Sequence, residues 1–289
     1  MVPAGQQRLR GFGVHEYIPG RHLSVLKIAV STLTAGTLIV GCGSTAGSAI
    51  QATTSQAAAP YAAETAAPSR TIVVGRSDWE QVGTSVQGRP IRARTVGHGP
   101  RAVLFIGGIH GDETEGEFTT DQLPAAFEAA GLADRVALTI LEDANPDGRA
   151  AGTRGNANGI DVNRNFPATN FDGTDPANGK TPLSQPESRA VAETIDRIEP
   201  SVVIAFHAWA GDQFINFDGP ARSLAEQFSS TSGFQVKASS EFAPTPGSLG
   251  SYAGRDRGIP VLSIEVLKGA DPQVTWDRLR FALLQVIVG

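Results

Sequence analysis

Short apolar runs that end at polar or charged residues constrain the fold of this chain most strongly. Five such runs are rich in Val, Ile and Leu, and they lie at residues 90–96, 101–106, 136–141, 201–206 and 259–264. Nearly continuous apolar runs are typical of strands that are covered on both faces. A glycine-rich turn at 97–100 joins the first two runs, which predicts that these two strands are neighbours in a sheet.

Longer segments with a helical pattern alternate with these runs. They lie at residues 116–130, 185–198, 221–229, 249–256 and 275–287. Gly131 follows the first helix and Pro200 follows the second, as expected for helix ends. The strand–helix order predicts an α/β fold: one three-layer α/β/α domain over residues 70–289, built on a mixed, largely parallel sheet.

An apolar segment near the N-terminus predicts export of the protein. Residues 28–40 are apolar, and Arg21 and Lys27 precede them. The segment is shorter than the roughly 20 residues that a membrane-spanning helix needs, and a basic flank before such a segment is typical of a signal peptide. We therefore expect residues 1–41 to be a signal peptide region. Alternatively, translation starts later, near Val25.

The cysteine that follows this segment predicts a lipid anchor. The sequence LIVGC that ends at Cys42 resembles a bacterial lipobox, in which the cysteine is acylated after cleavage in front of it. We expect the protein to be lipid-anchored through Cys42, on the outer face of the bacterial cytoplasmic membrane or in the periplasm or cell envelope. The alternative is a small buried free cysteine after an ordinary secretion signal. Residues 42–69 are rich in Ala, Ser and Thr and predict a flexible tether.

Charge and cysteine content exclude several kinds of partner and site. The formal net charge is -5, which gives no electrostatic reason to expect a nucleic-acid partner. Cys42 is the single cysteine, so an intramolecular disulfide and a cysteine zinc site are both excluded. Any bound metal must therefore be held by histidines and carboxylates. We expect a monomer.

Residues that can bind a metal or transfer a proton follow the predicted strands. One strand leads into GIHGDE at 108–113, another leads into NPDG at 145–148, and the last two stop at His207 and Glu265. The carboxyl ends of strands meet at the ligand crevice in open α/β sheets. We therefore expect an active site at this edge of the sheet.

Three of these residues form a candidate metal site. The spacing of His110 and Glu113 lets both side chains reach one ion from a loop and a first helical turn, and His207 can supply the third ligand. Two histidines and one glutamate, with a fourth position open, are the ligand set of a catalytic rather than a structural zinc. The alternative is that His110 is a turn residue and that Glu113 complements a helix N-terminus.

The order of the motifs carries a resemblance to a known family. The elements are His110-x-x-Glu113, the NPDG segment at 145–148, the sequence DVNRN at 161–165, and the strand-end His207 and Glu265. In this combination the sequence resembles the zinc carboxypeptidase family over roughly residues 80–289. The compact length and the form of the 108–113 segment resemble the bacterial murein-peptide amidases more than the digestive carboxypeptidases.

The resemblance implies a role for each motif residue. His110, Glu113 and His207 would hold one Zn²⁺, and Glu265 would be the general base that takes the proton of the attacking water. Arg154 would stabilise the oxyanion of the transition state. The alternatives are that Arg154 is a solvated loop arginine and that Glu265 pairs with a basic residue, for which the candidates are Arg255, Arg257 and Lys268.

The same resemblance assigns residues to the substrate and to the outer contacts of the metal site. Asn163 and Arg164 would bind the terminal carboxylate of the substrate, because a planar guanidinium matches a carboxylate with two hydrogen bonds. Asp161 would accept a hydrogen bond from the far nitrogen of His110. The NPDG segment is interpreted as a structural turn.

Two positions depart from the family pattern. The place of the digestive enzymes' mobile tyrosine falls near Phe242, which has no hydroxyl group, and His207 is followed by Ala208 and Trp209 where the family often has a serine. These departures concern the specificity pocket and leave the zinc site intact.

We therefore predict a zinc metallocarboxypeptidase or amidase that acts on a short peptide. The substrate bond implied is the γ-D-glutamyl–meso-diaminopimelate bond of peptidoglycan stem peptides. One alternative is a zinc acylase that resembles succinylglutamate desuccinylase or aspartoacylase. The other alternative is a surface binding lipoprotein without catalysis.

Overall fold

The computed structural model of this chain describes residues 79–241 and 245–289. The predicted signal peptide region, the lipidation site at Cys42, the tether up to residue 69 and Phe242 lie outside the described residues. All described residues belong to one compact unit, Ala66–Gly289.

Eight strands form one sheet in the order β1-β2-β4-β3-β5-β8-β6-β7. The strands are β1 Glu80–Thr84, β2 Pro90–Val96, β3 Arg101–Ile106, β4 Val136–Leu141, β5 Val202–Trp209, β6 Phe214–Asp218, β7 Gln235–Ala238 and β8 Val261–Leu267. The central strands β4, β3, β5 and β8 are parallel, whereas β2 and β6 join them antiparallel. The sheet is therefore mixed, as the strand–helix order predicted.

Helices cover both faces of this sheet. The helical elements are α1 Glu117–Ala129, α2 Pro146–Ala151, α3 Pro186–Ile198, α4 Arg222–Ser232, a π-helix Gly250–Asp256 and α5 Pro272–Val288. Alternate side chains of β3 enter two separate cores: Val103 and Phe105 pack in the core that includes residues of α1, α4 and α5. Leu104 and Ile106 pack in the core that includes residues of α3 and the π-helix. The predicted three-layer α/β/α arrangement is confirmed.

The strands β2 and β3 are not neighbours, contrary to the prediction from the turn between them. The strand β4 lies between them, antiparallel to β2 and parallel to β3. The turn is tied to the segment before β4, since the amides of His98 and Gly99 both donate to the carbonyl of Ala133 at 2.7 and 3.0 Å. A side chain at Gly99 would collide with the backbone of Arg135. Because the turn packs closely against the segment before β4, β4 lies between β2 and β3.

Two strands run further than their apolar runs indicated. His207 lies inside β5 and Glu265 lies inside β8, so neither residue stops its strand. The strands β1, β6 and β7 carry no long apolar run and were not predicted. The NPDG segment at 145–148 begins the helix α2 and is not only a turn: the side chain of Asn145 accepts a hydrogen bond from the amide of Gly148 at 2.9 Å.

Within residues 79–241 and 245–289, none of the helices has the length and apolar character that a bilayer crossing requires.

The central strand β3 gives a test of the fold. Leu104 is fully buried, and we expect Leu104→Ala to lower the free energy of unfolding by about 2–5 kcal/mol, because the lost methyl groups leave a cavity in a packed core. Val274→Ala is the control, since Val274 is 66% exposed on α5 and should change stability by less than about 0.5 kcal/mol. Denaturant unfolding measures both. Equal effects of the two substitutions would contradict this packing.

Candidate metal centre and active site

The loop after β3 carries two of the predicted ligands into one edge of the sheet. His110 is 4% exposed and stands three residues before Glu113, where a short 3-10 turn leads into α1. The loop lies directly on the start of α2, because a side chain at Gly111 would collide with the backbone of Gly148. Asn145 reinforces this contact by donating to the carbonyl of Ile109 at 3.4 Å.

His110, Glu113 and His207 lie together as the sequence predicted. Each offers one ligand atom, and these atoms lie within 4.8 Å of one another. His110 Nδ1 is 2.8 Å from Glu113 Oε1, and His207 Nδ1 is 3.0 Å from Glu113 Oε2. The two Nδ1 atoms are 3.3 Å apart.

This arrangement fits a zinc ion. Two nitrogen ligands that each lie 2.0–2.1 Å from a tetrahedral zinc are about 3.3 Å from each other, which is the separation of the two histidine nitrogens. The donor set of two imidazoles and one carboxylate suits zinc and leaves a fourth position for water or substrate. His110, Glu113 and His207 are therefore the residues that would hold the metal.

Asp161 contacts three of the groups around this centre. Its Oδ1 lies 3.2 Å from His110 Nε2 and accepts the amide of Asn163 at 2.8 Å. Its Oδ2 accepts from Arg154 Nε at 2.9 Å. A carboxylate at the far nitrogen of a metal-binding histidine fixes the ring orientation and leaves Nδ1 to face the metal.

Burial and hydrogen bonding act in opposite directions on the charges of this centre. Burial alone lowers the pKa of His110, but the hydrogen bonds with Asp161 and Glu113 raise it overall. Burial would raise the pKa of Glu113 and of Asp161, yet the hydrogen bonds from the histidines hold both pKa values well below the usual range. Both carboxylates are therefore ionised near neutral pH, as metal ligation and its support require.

Arg154 lies at the rim of the centre and is not a free loop arginine. Its Nη1 donates to Glu113 Oε1 at 3.2 Å, and its Nε donates to Asp161. The side chain is 47% exposed, so its guanidinium is held through Nη1 and Nε while it still lines the cavity.

Glu265 stands beside His207, since the two are direct partners in the parallel pairing of β5 and β8. Partners in adjacent parallel strands share one face of the sheet, and both residues line the same cavity. Burial raises the pKa of Glu265, and the charge of His207 opposes this rise. The basic residues considered as alternative partners pair with aspartates: Arg255 with Asp256, Arg257 with Asp196 and Lys268 with Asp112.

Asn163 and Arg164 also line the cavity. Asn163 Oδ1 accepts the amide of Leu249 at 2.9 Å, which fixes the side chain. Arg164 Nη1 donates to the carbonyl of Asn163 at 2.8 Å. Among the residues that the structure describes, Arg164 forms no ion pair with a carboxylate, so its guanidinium is available to an anionic ligand in the cavity.

The cavity extends beyond the residues that the sequence predicted. Its volume is about 520 Å³, and it continues past Glu265 to polar residues that sequence reasoning missed, among them Asn216, Asp218, Ser239 and Ser263. Most of these lie on β6, or follow β7, and neither strand was predicted. The alternation of apolar and polar residues in Phe214–Asp218, whose sequence is FINFD, is the signal that could have revealed them.

Comparison with known proteins gives a family match. A family model described as zinc carboxypeptidase matches residues 75–223. Murein peptide amidase A of Escherichia coli K12 is 30% identical over 164 residues, which cover 52% of this chain and 64% of that protein. Gamma-D-glutamyl-L-diamino acid endopeptidase 1 of Lysinibacillus sphaericus is 24% identical over 252 residues, which cover 66% of this chain and 61% of that protein.

A solved structure shares the fold. The murein-tripeptide amidase of Escherichia coli O157 superimposes with a TM-score of 0.57 at 26% identity, and the match covers 73% of this chain and 92% of that one. This chain thus spans about two thirds or less of the two curated relatives' own length, but most of the length of the solved amidase. The peptidase and amidase relatives favour the carboxypeptidase hypothesis over the zinc acylase.

The geometry of the metal centre predicts that substitutions of a ligand, of an outer contact and of a surface residue lower zinc binding to different degrees. We expect His207→Ala to remove most of the bound zinc, since a direct ligand is lost. Asp161→Ala should weaken zinc affinity by roughly 10- to 100-fold, which is typical of an outer contact to a ligand histidine. His98→Ala is the control, because His98 is a surface residue that pairs with Asp134. Metal content after equilibration in zinc buffers measures all three, and a His207→Ala variant with wild-type zinc affinity would refute the ligand set.

Proposed function

This chain belongs to the zinc carboxypeptidase family, whose model matches residues 75–223, and on this premise we propose that it is a zinc metallopeptidase that removes a C-terminal residue from short peptides. The observation that carries the proposal is the cluster of His110, Glu113 and His207 beside Glu265 in one cavity. A zinc ion held there would lower the pKa of a water molecule and polarise the scissile carbonyl.

Glu265 is the proton carrier in this proposal. Its carboxylate would accept the proton of the attacking water at an Oε atom and then deliver it to the nitrogen of the leaving residue. Its position beside His207 in the strand register supports this role, since both face the cavity. The aspartates that pair with the neighbouring basic residues leave Glu265 free of a competing ion pair among the described residues.

In this proposal Arg154 and Arg164 bind different anionic groups of the substrate. Arg154 would stabilise the negative charge that develops on the carbonyl oxygen, because it is anchored at the metal centre by Glu113 and Asp161. Arg164 would bind the terminal carboxylate together with Asn163. Holding the scissile carbonyl on one side of the amide bond and the terminal carboxylate on the other brings the scissile bond to Glu265.

The proposed substrate bond is the amide between the γ-carboxyl of D-glutamate and meso-diaminopimelate in peptidoglycan peptides. Two of the relatives carry names that refer to murein peptides and to a γ-D-glutamyl-diamino acid bond. We further propose that the enzyme meets this substrate outside the cytoplasmic membrane as a lipid-anchored monomer, on the evidence of the LIVGC sequence that ends at Cys42. Metabolic labelling with a fatty acid, lost in Cys42→Ser, tests the anchor.

Glu265→Gln tests the mechanism. We expect the purified full chain to release free diaminopimelate from L-alanyl-γ-D-glutamyl-meso-diaminopimelate, as measured by mass spectrometry. Glu265→Gln should lower kcat by roughly 10²–10⁴-fold, because an amide cannot accept the proton. Its zinc content should stay at the wild-type level, since Glu265 is not a ligand.

The controls separate the mechanism from the substrate. Glu80→Gln changes a glutamate that is 71% exposed and should keep full activity, whereas a chelator should abolish activity. Full activity of Glu265→Gln would contradict its role as general base. A zinc-loaded wild-type chain that releases no diaminopimelate but cleaves ordinary C-terminal peptides would refute the murein substrate and leave the reaction class standing.

A further inference from the structure

The rim of the cavity carries a cation that the proposed mechanism does not use. Lys268 follows the last residue of β8 and lines the cavity together with Asp112 and Trp209. Its side chain is 42% exposed, and its Nζ donates to Asp112 Oδ2 at 2.9 Å. Its backbone amide donates to the carbonyl of Trp209 at 3.0 Å. Both the backbone and the ammonium of Lys268 are therefore held in place, and the side chain still lines the cavity.

The contact with Asp112 leaves part of the ammonium open to a ligand. A lysine ammonium has three N–H donors, and among the described residues Asp112 is the single hydrogen-bond partner of Nζ. The other oxygen of Asp112, Oδ1, is buried, so this carboxylate meets the cavity through the oxygen that Lys268 covers. The hydrogen bond with Asp112 also raises the pKa of Lys268. A charged ammonium with two open donors is suited to receive an anion.

Burial along the cavity places Lys268 on the side of the acyl part of the substrate. Asn216 at one end of the cavity is buried, whereas Trp209 and Lys268 at the other end are exposed. Glu265 lies between these two ends in the strand register. A terminal residue enters the enclosed end of such a cavity, because the rest of the peptide must extend toward the solvent. The acyl part therefore extends from Glu265 toward Lys268.

The proposed substrate carries a free carboxylate on this acyl part. In a γ-linked glutamyl residue the side-chain carbonyl is cleaved, so the α-carboxylate stays ionised and lies four bonds from the scissile carbon, or roughly 5 Å when extended. A hydrogen bond of about 2.8 Å lengthens this reach to roughly 8 Å. The strand from Glu265 to Lys268 rises by about 10 Å. The ammonium thus lies at a comparable distance from the proton carrier.

We propose that Lys268 selects substrates whose acyl residue bears a free carboxylate four bonds from the scissile carbon, as a γ-D-glutamyl residue does. The proposal rests on the proposed function, because it takes Glu265 to mark the scissile bond. Asp112 would hold the ammonium in place, and the two remaining N–H groups would donate to the carboxylate. An acyl residue in which an amide replaces this carboxylate carries no charge there, and the enzyme would therefore cleave it more slowly.

Matched peptides that differ by one charge test this selection. The first pair is L-alanyl-γ-D-glutamyl-meso-diaminopimelate and its γ-D-isoglutaminyl counterpart, in which an amide replaces the α-carboxylate. The second pair is α-linked: N-acetyl-L-glutamyl-meso-diaminopimelate, whose side-chain carboxylate is also four bonds from the scissile carbon, and its glutaminyl counterpart. We expect the purified full chain to prefer the carboxylate in each pair that it cleaves by roughly 5- to 20-fold in kcat/KM, mainly through KM, because a charge-assisted hydrogen bond is lost at a partly exposed site.

Substitutions of Lys268 assign this preference to its charge. Lys268→Met should remove the preference by lowering kcat/KM of the carboxylate peptides to the level of the matching amides, whereas Lys268→Arg should retain most of it. Lys180→Met is the control and should behave as wild type, because Lys180 is exposed and lies outside the residues that line the cavity. Zinc content and thermal unfolding of the three variants show whether each is folded.

Binding measurements separate a failure of this proposal from a failure of the proposed function. Calorimetry with the product dipeptide L-alanyl-D-glutamate and with L-alanyl-D-isoglutamine reports the preference without catalysis. Equal kcat/KM within every cleaved pair, equal affinity for the two dipeptides where neither pair is cleaved, or an unchanged preference in Lys268→Met would overturn the role of Lys268. Cleavage of the α-linked pair alone, with a preference for its carboxylate, would refute the proposed murein substrate and support the role of Lys268.

Discussion

The register between the parallel strands β5 and β8 is the constraint on which the site depends. It sets His207 beside Glu265, so a metal ligand and a proton carrier share one face at fixed spacing. A slip of one residue would turn one of the two side chains into the opposite layer, because the side chains of a strand alternate between faces. The buried neighbours Phe206 and Ile264 resist such a slip, since both would lose their places in the core that α4 and α5 cover.

The loops complete the site through two carboxylates, those of Glu113 and Asp161, each of which contacts several polar groups. Glu113 contacts both histidines, the guanidinium of Arg154 and the amide of Ala208. Asp161 contacts His110, Arg154 and the amide of Asn163. The loop after β3 is therefore tied to the loop at 154–163 through polar groups that satisfy one another and that, apart from the half-exposed Arg154, are largely buried. Such a network holds its members in one arrangement, because every lost contact leaves a buried polar atom unpaired.

The sequence predicted the residues whose signal is local and missed those whose position depends on pairing. His110, Glu113, His207 and Glu265 end or follow strongly apolar runs, and this made their convergence predictable. The prediction that β2 and β3 are neighbours was wrong, because a turn of the same sequence can connect two paired strands or two strands with another strand between them. Asp218 was missed because β6 is short and half polar, and its place in the cavity follows only from its antiparallel pairing with β8.

That pairing also explains how one sheet face extends the cavity beyond the reacting groups. Because β6 runs antiparallel to β8, its carboxyl end lies beside the start of β8, deep in the cavity and away from the carboxyl ends where the metal ligands meet. Depth along this face is therefore counted in strand residues, and Asp218 lines the cavity four residues beyond Phe214. A wall of backbone at Gly250 and Gly254 keeps that carboxylate in place. Replacing either glycine would displace that carboxylate without touching the metal ligands.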